Sequence, residues 1–244
     1  MNNSVGRTAR LLTAGLRALV VLTVVCGILY PLAVTGVAQA LFPHQANGSE
    51  IKVNGKVVGS ELIGQRYDLP LKKGQETPDP DLKWFQPRPS NGLSTNTTNT
   101  QYKLLVSGAT NLSADNPKLL NQVKAAKAAV IKDNSVPGYE VQPSQIPADA
   151  VTSSASGLDP DISPAYAKLQ AHRVAVRNHL PLTKVEQLIK THTKDRIAGF
   201  MGDPRVNVLQ LNIALKKAQR PATEYERGAR PAWTGGRPTT DAGR

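Results

Sequence analysis

The sequence predicts an α+β protein with one N-terminal transmembrane helix followed by a single mixed α/β domain, which has short strands and a helical C-terminal half. Three observations lead to this class. An uncharged apolar run extends from Ala18 to Phe42, an Asn-Gly turn joins two alternating segments after it, and proline-led helical patterns fill the second half. The 244 residues leave room for one ordinary domain beside the span.

The apolar run is long enough to cross a membrane. As a helix it would extend about 37 Å, against a hydrocarbon core of about 30 Å. Pro31 lies inside the run and leaves one carbonyl without its donor, so we expect a kink there. Two pairs of small residues, Thr23 with Gly27 and Gly36 with Ala40, would let another helix approach closely.

The charges beside the run predict its orientation. Arg7, Arg10 and Arg17 precede it, and no acidic residue appears before Glu50. Basic residues concentrate on the cytoplasmic side of a membrane span. The sequence therefore predicts a cytoplasmic N-terminus and an extracytoplasmic C-terminal domain.

A cleaved signal peptide is the alternative to a retained anchor. Ala38-Gln39-Ala40 fits the small-x-small cleavage pattern, and cleavage after Ala40 would release an exported soluble binding protein. The apolar run is longer than the usual h-region of about 7 to 15 residues and contains a proline. The retained anchor is therefore the favoured interpretation.

The chain accordingly divides into four segments. We expect a cytoplasmic basic stub over 1–17, the transmembrane helix over 18–42, a soluble extracytoplasmic domain over 43–219 and a disordered tail over 220–244. The tail contains Pro, Gly, Arg and Thr without apolar periodicity.

Composition limits the partners. The net charge is +12, but the basic residues are dispersed and aromatic residues make up 5% of the chain, so no nucleic acid partner is predicted. A basic surface of this kind fits membrane lipid or an acidic protein. The one cysteine, Cys26, lies in the apolar run, so the exported domain cannot form a disulfide.

The domain begins with strand patterns and a long loop. Asn54-Gly55 predicts a hairpin, after which we expect a short strand or helix over 60–65. The Pro- and Asn-rich stretch 69–101 predicts a loop. Within it, the pair Trp84 and Phe85 is expected to attach the loop to the core, with a partner-binding tip as the alternative.

Helices dominate the second half. Asn116 before Pro117 and Ser163 before Pro164 are N-cap and first-turn pairs, and apolar residues recur after each at helical spacing. Two further helices are expected. One begins at Pro181, and the other begins at Val206 or Val208 and ends at Ala218.

No enzymatic motif is apparent. The sequence contains no Gly-rich phosphate loop and no aspartyl-phosphate motif, and its four histidines lack metal-ligand spacing, so neither catalysis nor a metal site is predicted. Residues 149–163, which we call the serine loop, place hydroxyls and acids before a helix N-terminus. Its amides could bind an anion, but the acids would repel one, which favours a capped loop.

Specific motifs nevertheless resemble a known family. They occur in the family's order and cover most of residues 12 to 218: LYPLAVTGVAQALFP, VVGSELIGQ, WFQPRPS, SGATNLSADNPKL, PADAVTSSASGLDPDISPAYAKLQAHRVA and GFMGDPRVNVLQLNIAL. Together they resemble the C subunit of the Kdp potassium-importing P-type ATPase. Asp161 stands where that family often has histidine.

The resemblance implies a non-catalytic accessory subunit in a bacterial inner membrane. Its implied partners are a channel-like potassium-translocating subunit, a P-type ATPase subunit and a small membrane peptide. The family is described as a catalytic chaperone that raises the ATP affinity of the pump subunit, which implies an ATP contact at Ser156, Gly157, Asp159 and Ser163. A domain outside the membrane could not reach cytoplasmic ATP, so assembly is the favoured role.

Overall fold

The structure is a computed structural model that describes residues 3–75, 77–95 and 105–219. The expected disordered tail, 220–244, lies outside the described residues. The chain divides into two compact units, Met1–Ile63 and Gly64–Arg244. Each unit is described by itself below.

The first unit contains the apolar helix. Its helical segments are α1 (Asn3–Val24), a π-helix (Val25–Leu29) and α2 (Tyr30–Leu41). The continuous helical stretch Gly6–Leu41 has a mean hydropathy of 2.3 and none of its most apolar window is buried. Of the residues that the structure describes, this stretch alone is long and apolar enough to cross a membrane, as the sequence predicts.

Pro31 disturbs the helix on its N-terminal side. The N–H of Tyr30 donates to the carbonyl of Val25, five residues back, which is a π-helical bond. A local change to π-helical bonding lets the chain accommodate a proline without ending the helix. A π-helical segment at Val25–Leu29 therefore precedes Pro31, and the kink expected at Pro31 stays a prediction.

The chain after the helix is more regular than expected. Instead of an immediate loop, a four-residue helix, α3 (Pro43–Ala46), follows Phe42. Proline suits the first position of a helix, and the Asn47 side-chain amide donates to the Pro43 carbonyl at 2.7 Å. The amides of Gln39 and Asn47 also bond to each other at 3.2 Å.

The predicted hairpin is confirmed. Strands β1 (Glu50–Val53) and β2 (Lys56–Ser60) pair antiparallel. Asn54 and Gly55 both have positive φ, 52° and 77°, as a type I′ turn requires. The strand or helix expected over 60–65 is absent from this described stretch, because β2 ends at Ser60 and a turn follows.

The described part of the second unit contains four longer helices, five short strands and two 3₁₀ helices, Pro143–Gln145 and Ala148–Ala150. The longer helices are α4 (Pro117–Asn134), α5 (Pro164–Asn178), α6 (Leu182–His192) and α7 (Val208–Ala218). The strands are β3 (Ser94–Thr95), β4 (Leu105–Val106), β5 (Asp161–Ile162), β6 (Thr193–Lys194) and β7 (Arg205–Asn207). β3 pairs with β4, and the others form an antiparallel sheet in the order β5-β7-β6. The two predicted proline-led N-caps of α4 and α5, Asn116 and Ser163, are confirmed.

Helix α5 lies at the centre of the second unit. It contacts α4, α6 and β7, and most of its residues are buried. The core also contains Phe85, Val185, Ile189, Leu211 and Leu215.

Two apolar positions of the helices differ from expectation. Leu120 on α4 and Val176 on α5 are 46% and 49% exposed, although their spacing suggested core positions. On α5 the places between the apolar residues are taken by buried Gln170 and Arg173. Polar side chains therefore occupy part of the interior, which periodicity alone could not indicate.

Candidate functional site

Residues 82–91, which we call the aromatic segment, run across α5 and α7. The Phe85 N–H donates to Asn212 Oδ1 and the Phe85 carbonyl accepts from Asn212 Nδ2, both at 2.9 Å. Gln170 binds the backbone of Gln86 in the same two-bond manner, at 2.7 and 3.1 Å. These two amides pair with the backbone as a neighbouring strand would, so an irregular segment keeps its buried polar groups satisfied.

Arg173 holds the same segment from α5. It is 1% exposed, and its guanidinium donates to the carbonyls of Leu82 and Trp84, to Asn134 Oδ1 and to Gln170 Oε1. Burial lowers the pKa of Arg173 to about 10. The guanidinium remains charged at neutral pH and joins the aromatic segment to α4 and α5.

The aromatic pair attaches this segment to the core, as predicted. Phe85 is fully buried, and Trp84 packs against the core and against Tyr67, with ring centroids 5.7 Å apart. Burying such rings contributes about 1.5–3 kcal/mol each. The contacts of this pair favour attachment to the core over the alternative of a partner-binding tip.

The serine loop is organised by hydrogen bonds between its own residues. Ser154 is buried, and its hydroxyl accepts from the N–H groups of Gly157 and Asp159 at 3.1 and 3.4 Å. The exposed Ser156 accepts from the Leu158 N–H at 3.0 Å. Gly157 has φ +72°, a left-handed conformation that favours glycine.

Asp159 connects the serine loop to the aromatic segment. Its carboxylate accepts from Arg88 at 2.9 Å, while its other oxygen accepts from the N–H of Asp161 at 3.1 Å. Arg88 also donates to the Thr152 hydroxyl at 3.4 Å. In addition, the Ser154 N–H donates to the Pro89 carbonyl at 2.8 Å. The two segments are thus held together by charged and backbone bonds.

The N-terminus of α5 is capped from within the chain. The Ser163 hydroxyl accepts from the Tyr166 N–H at 3.0 Å. Asp149 accepts from both the N–H and the hydroxyl of Ser163, at 2.7 and 2.9 Å. A carboxylate of the chain therefore lies where the helix dipole would attract an anion.

Asp161 is the half-buried acid between β5 and β7. Burial raises its pKa, and Arg205, whose Nε lies 3.2 Å from a carboxylate oxygen, opposes that rise. Asp161 thus stabilises the strand pair through an ion pair.

The resemblance implies an ATP contact at four residues. Three of them lie in one turn of the serine loop, and the fourth lies at the end of that loop. Ser156, Gly157 and Asp159 lie in the serine-loop turn, and Ser163 lies at the helix cap. The amides of Gly157 and Asp159 and the hydroxyl of Ser163 already have partners inside the fold. The span residues Thr23, Gly27, Gly36 and Ala40 belong to the first unit.

The buried side chains Gln170, Arg173 and Asn212 were missed by sequence reasoning. A long polar residue in the middle of an apolar helical face is the one signal that could have indicated them. Gln170 and Arg173 both stand between the buried Leu169 and Val174.

One helix that is long and apolar enough to cross a membrane, followed by a mixed α/β domain, is the architecture of a membrane-associated protein. The family model described as the c chain of K⁺-transporting ATPase, KdpC, matches residues 12–217. The chain therefore belongs to the KdpC family.

Curated relatives agree with this family. The chain is 70% identical over 217 residues to the potassium-transporting ATPase KdpC subunit of Streptomyces avermitilis, covering 89% of this chain and 98% of the relative. It is 67% identical over 225 residues to that of Streptomyces coelicolor, covering 92% and 100%. It is 42% identical over 208 residues to that of Mycobacterium tuberculosis, covering 85% and 98%. The alternative of an exported binding protein receives no support from these relatives.

Proposed function

We propose that this chain is a non-catalytic subunit of an ATP-driven potassium import complex, in which it stabilises the assembled complex from the extracytoplasmic side. The observation that carries the proposal is the family match over residues 12–217, which includes both the apolar helix and the domain. The relatives are named as potassium-transporting ATPase subunits, and we extend that assignment to this chain.

Its proposed partners are the other subunits of such a complex. They are a channel-like potassium-translocating subunit, a P-type ATPase subunit and a small membrane peptide. The apolar side chains of the helix are exposed, and a Cβ added at Gly36 would meet no atom of this chain within 4 Å. This open face supports close packing of a partner helix near Gly36 and Ala40, with membrane lipid covering the remaining faces.

A catalytic-chaperone role, with ATP contacted by the serine loop, is the competing proposal. The paired groups of that loop favour a structural role, since an incoming phosphate would have to displace the chain's own Asp149 from the α5 N-terminus. The predicted orientation also separates the loop from cytoplasmic ATP. We therefore propose assembly as the function and leave ATP binding to the pump subunit.

Removing this chain while keeping the other subunits tests the proposal. We expect potassium uptake at low external potassium to be lost, and the remaining membrane subunits to co-purify poorly. Restoring the chain should restore both. Unchanged uptake and co-purification without the chain would contradict the proposal.

A matched pair of glycine variants tests the helix contact. Gly36→Leu should reduce co-purification, because it places a bulky side chain on the open face. Gly6→Leu is the control, since it lies at the start of the helix, in the predicted cytoplasmic stub, and has no atom within 4 Å either. Equal co-purification of the two variants would assign the contact to another part of the chain.

A further inference from the structure

A cavity of about 320 Å³ lies between the aromatic segment, α4 and α5. Its volume is at the lower end of the range for small-molecule sites, about 300–1,000 Å³. Alanines, valine and prolines form its apolar wall, and charged or polar side chains occupy the rest. Those that matter here are Arg66, Arg88, Asp133, Tyr166 and Arg173.

The guanidinium of Arg173 has no carboxylate at hydrogen-bond distance among the described residues, and Asp133 and Asp81 attract it from farther away. Its four acceptors are uncharged oxygens of Leu82, Trp84, Asn134 and Gln170. Across the described ranges, no carboxylate forms an ion pair with it. A buried charge without a counter-ion is costly, and an anionic group entering the cavity would lower that cost.

The carboxylate of Asp133 likewise lacks a directly bonded counter-ion, although Arg173 and Lys132 attract it. It lies on α4 and is half-buried, and burial raises its pKa. Within the described part of the chain, its carboxylate has no hydrogen bond or ion pair, and Arg173 attracts it only from a distance. The other two cavity arginines have ion pairs, Arg66 with Asp68 at 3.1 Å and Arg88 with Asp159 at 2.9 Å. Arg88 Nε is nevertheless buried without a hydrogen-bond partner among the described residues.

Tyr166 adds a third polar group without a partner. Its side chain is 6% exposed and lines the cavity. Among the residues that the structure describes, its hydroxyl has no hydrogen bond. The hydroxyl oxygen itself keeps solvent contact, so it is available to a polar occupant of the cavity.

We propose that this cavity binds a small zwitterion, whose anionic group lies toward Arg173 and whose ammonium group lies toward Asp133. An anion alone would leave Asp133 unpaired, and a cation alone would leave Arg173 unpaired. A molecule with both charges satisfies both side chains, and Tyr166 can bond to either group. This inference goes beyond the proposed role in assembly, which does not require a ligand in the domain.

Calorimetric titration of the full chain in detergent tests the proposal. The probes are glycine, β-alanine, 4-aminobutyrate and 6-aminohexanoate, a series of increasing charge separation, with butyrate and butylamine as single-charge controls. We expect at least one zwitterion to bind at least tenfold more tightly than either control. Failure of all four zwitterions to bind, as in a cavity holding only water, would overturn the proposal. Equal binding of butyrate or butylamine would overturn it as well.

A pair of charge-neutralising variants locates the site. Asp133→Asn should weaken zwitterion binding at least tenfold, whereas Glu140→Gln, at an exposed acid outside the cavity, should leave it unchanged. Tyr166→Phe, which keeps the ring, should weaken binding less than Asp133→Asn. Equal affinities of the Asp133→Asn and Glu140→Gln variants would contradict the assignment. Neither result bears on potassium uptake, so this test fails or succeeds independently of the proposed function.

Discussion

Arg173 donates hydrogen bonds to three parts of the second unit: the aromatic segment, the end of α4 and its own helix. A single buried side chain therefore determines how an irregular segment lies on two helices. The arrangement is costly to interrupt, since each acceptor left unpaired in the interior loses about 1–3 kcal/mol.

Arg173→Met tests how much these hydrogen bonds stabilise the domain. The methionine removes four hydrogen bonds and leaves the Leu82 and Trp84 carbonyls without their guanidinium donor, so we expect the free energy of unfolding to fall by about 3–5 kcal/mol. Arg177→Met is the matched control, because Arg177 is exposed on the same helix, and should change it by less than about 0.5 kcal/mol. Denaturant titration of the full chain in detergent measures both. Equal destabilisation would show that Arg173 acts only through its place in the helix.

At the scale of elements, the serine loop approaches the start of the second unit closely. The Gly64 N–H donates to the Leu158 carbonyl at 2.8 Å, and a Cβ at Gly64 would overlap the Asp159 carbonyl oxygen. Glycine is needed here because the two backbones are in contact. The contact fixes the turn that holds Asp159 against Arg88.

Gly64→Ala should therefore separate the serine loop from the start of the second unit. We expect a loss of about 1–3 kcal/mol, since backbone atoms rather than a flexible side chain have to move. Gly108→Ala is the control, because its Cβ would lie 3.8 Å from the Gly92 carbonyl oxygen, an ordinary contact. Thermal unfolding followed by circular dichroism compares the two. A Gly64→Ala protein as stable as the Gly108→Ala protein would contradict the close approach.

The elements that the sequence predicts are those with local causes. The Asn54-Gly55 turn and the Asn116 and Ser163 caps depend on residues within four positions of one another, so the pattern is sufficient. The bonds that place the aromatic segment join residues far apart in the chain. Phe85 and Asn212 are 127 positions apart, and Gln86 and Gln170 are 84 apart. Such pairings are set by tertiary packing, which periodicity does not contain.

The same distinction applies to the candidate site. The sequence indicated that residues 149–163 form a capped loop, and the Asp149–Ser163 bonds agree with that interpretation. The cavity beside Arg173 and Asp133 was not predicted, because its wall combines α4, α5 and the aromatic segment. Charges that lack partners can be recognised only once the neighbouring elements are in place.

For the whole molecule, we propose an anchored chain whose domain lies outside the membrane. The length of the Gly6–Leu41 helix supports the anchor, and the three arginines before the apolar run support the orientation. The assembly role and the separation from cytoplasmic ATP both depend on it. The proposed function therefore depends on the side of the membrane on which the domain lies.

Cysteine labelling in intact cells determines the side of the membrane on which the domain lies. Cys26→Ala removes the one native thiol, after which Ala128→Cys on the exposed side of α4 and, separately, Thr8→Cys before the span are probed with a membrane-impermeant maleimide. With the domain outside the membrane, we expect labelling of Ala128→Cys in intact cells, and labelling of Thr8→Cys only after permeabilisation. The reverse pattern would place the domain in the cytoplasm and contradict the account.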